Sequence, residues 1–124
     1  MSRRVLVIAP HADDEVLGAG GTIARFAGRG DDVHVVIATK GYPPAFSAES
    51  GHQIEAETLA AHQVLGVADT VFLGLPAAAL DTVEHRDLNA RLTEVVTRVR
   101  PHLTFVPFGG DIHLDHQRDR KSVV

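Results

Sequence analysis

The 124-residue chain has no cysteine and no tryptophan, one methionine, one tyrosine, and only 5% aromatic residues. Without cysteine there is no disulfide, no thiolate nucleophile and no Cys-based zinc or iron–sulfur site. Any metal ion would have to rest on His, Asp or Glu. Positive charge is also scarce: 12 Lys and Arg against 16 Asp and Glu leave a formal net charge of −4. No basic stripe of the kind that nucleic acid or an anionic membrane requires is present. No apolar run approaches the roughly 20 residues of a membrane-spanning helix, and "MSRRVLVIAP" turns acidic too soon to be a signal peptide. These absences set the expectation of a cytoplasmic protein with no nucleic-acid partner and no membrane span. What is there, 44% hydrophobic and 23% charged residues, suits a single domain with a buried core.

The apolar pattern predicts alternating strands and helices. "RVLVIAP" (4–10) is a continuous, partly β-branched run, the mark of a strand buried on both faces. "EVLGAGGTIARFA" (15–27) has helical spacing and is closed by the turn residues "GRGDD". "VHVVIAT" (33–39) is a second strand, and "KGYPPAFSAESG" (40–51) reads as loop because of its Pro pair. "QIEAETLAAHQVL" (53–65) reads as a helix with Gly66 as its C-cap, and "TVFLGL" (70–75) as a third strand. "DLNARLTEVVTRVR" (87–100) is an amphipathic helix stopped by Pro101, and "HLTFVPF" (102–108) a fourth strand. The order predicts a Rossmann-like three-layer α/β/α domain over 1–124, with a mostly parallel sheet and right-handed crossovers. The glycines of "GAGGT" (18–22) lie inside a helix and spell no G-x-G-x-x-G, which argues against dinucleotide binding. They are expected to let that helix approach the sheet or the site closely.

Two polar clusters fall at strand ends, where α/β sheets bind ligands: "HADDE" (11–15) and "GGDIHLDH" (109–116). In the common strand order 3-2-1-4 they would meet, although a hundred residues separate them. His11 and Asp14, three apart across a strand-to-helix turn, can face one point, and His116 would add a third ligand. Two imidazoles and a carboxylate with one open position form a usual catalytic zinc set. Asp13 would then serve as general base, His113 would stabilise the oxyanion, and Asp115 would orient His113. The chemistry is metal-assisted hydrolysis of an amide-like bond.

Acidic residues at a helix start also act as caps, and that reading is preferred for Glu15. His34, His52, His62, His85 and His102 are expected to be solvated or packed. The same ligand set describes Fe(II) oxygenases, so Fe²⁺ or another divalent ion is the alternative metal. A non-catalytic metal- or sugar-binding fragment is the alternative function.

The residues resemble those of the LmbE-like, or PIG-L, family of zinc-dependent N-deacetylases. "PHADDE" (10–15) is similar to the family's "(A/P)HPDDE", with Ala12 where Pro is usual, and "HLDH" (113–116) to its "HxDH". "ETLAAHQVLGV" (57–67) is similar to a segment between the two. The resemblance implies Zn²⁺ on His11, Asp14 and His116, with Asp13 as base and then acid, and His113 and Asp115 at the tetrahedral intermediate. It implies removal of acyl groups, usually acetyl, from N-acetylglucosamine units in small conjugates, glycolipids or antibiotic precursors. Many members carry an Arg, which can contact substrate, where this chain has Ile54. Family chains continue well beyond the second motif, whereas this one stops eight residues after His116. The expectation is therefore a partial domain whose C-terminal part is missing and whose open sheet edge favours self-association. "DRKSVV" (119–124) reads like a translated sequencing adapter, and the expectation is a non-native tail there.

Overall fold

Among the described residues, four strands, β1 (Arg4–Ala9), β2 (Asp32–Lys40), β3 (Asp69–Pro76) and β4 (Leu103–Phe105), alternate with three helices. The helices are α1 (Asp14–Gly28), α2 (Ala48–Leu65) and α3 (His85–Val99). The computed structural model describes residues 2–11, 14–40, 48–76 and 85–106. The sheet order is β3-β2-β1-β4 and every pairing is parallel, as the alternation predicts.

The period-two geometry of a strand explains why the central runs are apolar throughout. In β1, Leu6 and Ile8 join one buried cluster, while Val5, Val7 and Ala9 join another on the opposite face. In β2, Val36 and Ala38 go with the first, and Val33, Val35 and Ile37 with the second. The first cluster is closed by α3, whose Leu88, Leu92, Val95 and Val99 recur at helical spacing. Burying each such side chain contributes about 1.5–3 kcal/mol. The second cluster is closed by Ile23, Ala19, Phe26 and Ala27 of α1 and by Leu65 of α2. The chain thus lays two helices on one face of the sheet, then reverses direction and lays the third on the other. That reversal sets β1 and β4 side by side, with Val7 paired to Phe105.

α2 starts at Ala48, inside the stretch expected to be loop. Gly51 breaks no helix, because it is buried on the packed face together with Thr58 and His62, and Glu49 favours the helix start. α3 opens at His85, two residues before the helix expected from Asp87; residues 77–84 lie outside the described residues. α1 and α2 both end in a glycine at φ +87°. At Gly66, Val67 N–H bonds His62 O at 2.9 Å and Gly66 N–H bonds Gln63 O at 3.3 Å. At Gly30, Asp31 N–H bonds Phe26 O at 3.1 Å and Gly30 N–H bonds Ala27 O at 3.0 Å. Both are the double closure that satisfies the last carbonyls of a helix. Gly66 permits a close helix approach: a Cβ there would lie 2.9 Å from the Ala27 Cβ of α1, whereas one at Gly21 would meet nothing within 4 Å.

Candidate metal centre

β1 ends at Ala9, and Pro10, which has no N–H to continue the ladder, carries the chain out of the sheet. β2 runs three residues past the last β1–β2 pair, Ala9 with Ile37. Its Thr39 turns back to the Pro10 carbonyl, which accepts from Thr39 N–H at 3.0 Å and from Thr39 Oγ1 at 2.7 Å. His11 follows at the rim of the sheet.

Asp14, the first residue of α1, donates its N–H to His11 O at 3.3 Å. The Asp14 carboxylate folds back: its Oδ2 accepts from His11 N–H at 2.9 Å and lies 3.3 Å from His11 Nδ1. Accepting this backbone N–H at the start of α1 is one job of the Asp14 carboxylate. It does not use up the carboxylate. Ligand atoms about 2.0–2.2 Å from a tetrahedral zinc stand roughly 3.3 Å apart, the separation seen between Nδ1 and Oδ2. Both side chains are partly exposed, at 26% and 29%, as ligands of a reachable ion would be. The donor set therefore fits a divalent cation at this rim.

Of the six residues assigned to the site, His11 and Asp14 are described, and they come together. Asp13, His113, Asp115 and His116 lie outside the described residues. Among the described residues no group of three or more His, Asp or Glu could hold a metal ion. β1 and β4 are adjacent and parallel, so their carboxyl ends lie on the same rim of the sheet.

Four other histidines, His34, His52, His62 and His102, pack or face solvent. His62 is buried, with Nδ1 2.7 Å from Thr70 Oγ1. His102 Nδ1 accepts the Arg4 backbone N–H at 2.9 Å, which places the proton of the neutral ring on Nε2. His34 lies beside Asp69 at 3.9 Å, and His52 is exposed. Ile54, where the resemblance leads one to look for Arg, is exposed on α2 and leaves that place without a charge. Thr39 was not singled out by the sequence; its signal is a polar residue directly after the apolar run 35–38 of β2. No helix among the described residues is long and apolar enough to cross a membrane.

The chain matches the PIG-L family, described as GlcNAc-PI de-N-acetylase, over residues 6–124. It is 35% identical over 159 aligned positions to a 1D-myo-inositol 2-acetamido-2-deoxy-alpha-D-glucopyranoside deacetylase of Kineococcus radiotolerans, covering 98% of this chain and 44% of that protein. Among solved structures it is similar to the N,N'-diacetylchitobiose deacetylase of Pyrococcus horikoshii (TM-score 0.83, 28% identity, 98% of this chain and 48% of that one). A conserved protein of Thermus thermophilus is equally similar in fold (TM-score 0.83, 29% identity, 98% and 53%). The chain spans about half the length of the relatives it matches.

Proposed function

The chain belongs to the PIG-L family, and from that premise we propose that it carries the metal-binding rim of an N-deacetylase acting on N-acetylglucosamine-type substrates. The observation that supports this most directly is the His11–Asp14 pair, at ligand spacing on the strand end next to β4. The activities of the Kineococcus radiotolerans and Pyrococcus horikoshii proteins support the substrate class, a small N-acetyl amino sugar or its conjugate.

In this reading His11, Asp14 and His116 hold the ion, with Zn²⁺ preferred because two imidazoles and a carboxylate suit it. A bound Zn²⁺ supplies a Lewis acid that makes water nucleophilic near neutral pH. Asp13, adjacent to a ligand but not needed as one, takes the proton from the attacking water and returns it to the departing nitrogen. His113 donates to the acyl oxygen as negative charge develops there, and Asp115 fixes the orientation of its ring. The products are a free amine and a carboxylate. The working compartment in this reading is the cytoplasm.

The test is zinc stoichiometry on monodisperse protein, run beside amine release from N-acetylglucosamine. One zinc per chain with release is the expected result. One zinc without release would turn the reading toward a metal-binding fragment. No zinc in folded protein would remove it.

A further inference from the structure

We propose that Thr39 is a positioning residue for the His11–Asp14 pair, holding the Pro10–His11 peptide unit in the one orientation that lets the two side chains converge. The proposal rests on the reading of this rim as a metal site. Its core is a relation between three residues. A peptide unit is planar, so fixing its oxygen and its N–H fixes the whole plate. Here the oxygen, that of Pro10, accepts two bonds from Thr39, one from the backbone at 3.0 Å and one from the hydroxyl at 2.7 Å. The N–H, that of His11, donates to Asp14 Oδ2 at 2.9 Å. β2 therefore grips the plate from one side and the ligand carboxylate grips it from the other.

The chemistry of position 39 agrees. Thr39 is buried at 7% exposure, at the end of a strand whose preceding buried positions, 35–38, are all apolar. Valine would fill the same volume with the same β-branched shape. What threonine adds is the hydroxyl, and that hydroxyl is directed at the Pro10 carbonyl. Pro10 has no N–H of its own, so its carbonyl is the backbone group through which the neighbouring strand can hold it. With the hydroxyl gone, one bond from Thr39 would remain and the plate could tilt, carrying His11 Cα away from Asp14.

The experiment compares Thr39→Val and Thr39→Ser with Thr58→Val. Thr58 is the matched control: it is also buried, and its Oγ1 donates to a backbone carbonyl, that of Ile54, at 2.7 Å, but within α2. Two readouts are taken, amide hydrogen exchange at His11 in metal-free protein and the zinc dissociation constant by chelator competition. Losing one buried hydrogen bond corresponds to about a five- to tenfold change in each for Thr39→Val. Thr39→Ser should stay within about twofold of the parent and Thr58→Val should move neither. Unchanged His11 exchange in Thr39→Val, or an equal change in Thr58→Val, would overturn the proposal. If Thr39→Val does not fold, Thr39→Ser against Thr39→Ala makes the same comparison. If the parent protein binds no zinc, the deacetylase reading falls, while His11 exchange still decides the role of Thr39.

Discussion

Asp14 Oδ2 accepts the His11 backbone N–H at 2.9 Å and stands 3.3 Å from the Nδ1 of the same residue. One carboxylate oxygen thus caps the turn and faces the imidazole. The two jobs respond differently to substitution. Asp14→Asn keeps an acceptor for the N–H but removes the charge, so stability should hold within a few tenths of a kcal/mol while zinc falls below one per chain. Asp14→Ala removes both and should cost about 1 kcal/mol in addition. Urea unfolding in chelator and zinc content per chain separate them. Full zinc in Asp14→Asn would show that the carboxylate is not a ligand.

Metal should be visible as stability. A ligand that binds only the folded chain stabilises it by about 2.7 kcal/mol at a free concentration of 100 times its dissociation constant. Thermal melts with zinc should therefore lie several degrees above melts in chelator. His11→Ala and His116→Ala should abolish that difference, whereas Asp13→Asn should keep it and lose amine release. Loss of the zinc-dependent shift in Asp13→Asn would make Asp13 a ligand and not the base.

The strands were legible because β1 and β2 are buried on both faces, which forces continuous apolar runs, and α3 because Leu88, Leu92, Val95 and Val99 repeat at helical spacing. The strand order agrees with the common 3-2-1-4 arrangement expected of such an alternating chain, and with it comes the adjacency of the carboxyl ends of β1 and β4. The start of α2 was not legible: Gly51 reads as a turn residue in sequence, and only its packed position explains it inside a helix. At the site, the crowding of acidic residues beside His11 marked the segment in sequence, and the structure brings His11 and Asp14 to 3.3 Å. Thr39 was not, since its meaning depends on a carbonyl 29 positions away in the chain.

Gly66 and Gly30 separate two costs that usually travel together. Both have φ +87°, but only at Gly66 would a Cβ collide, at 2.9 Å from Ala27 Cβ. Gly30→Ala should cost about 1 kcal/mol, the strain of a left-handed residue. Gly66→Ala should cost roughly 1–2 kcal/mol more, because α1 and α2 must part to admit the methyl group. Denaturant midpoints at constant slope measure the difference. Equal losses would show that the helix ends separate freely.

The opposite sign is expected at Arg100, which has φ +51° and no glycine's freedom. It ends α3 as a left-handed cap: Arg100 N–H bonds Val96 O at 2.8 Å, and Pro101 prevents the helix from continuing. Its own carbonyl and that of Val99 accept from Arg4 Nε at 2.9 and 3.0 Å, so the backbone here is tied to β1 whatever side chain it bears. Arg100→Gly removes a strain of about 1–2 kcal/mol, offset in part by the about 0.4–1 kcal/mol of extra freedom glycine brings to the unfolded chain. A net gain of roughly 0.5–1 kcal/mol is expected, read as a higher urea midpoint with an unchanged slope. Arg4→Met should lose about 1–2 kcal/mol in the same assay, because two helix-end carbonyls lose a charged donor. A loss in Arg100→Gly would mean that the exposed arginine side chain, and not the backbone geometry, is what secures the end of α3.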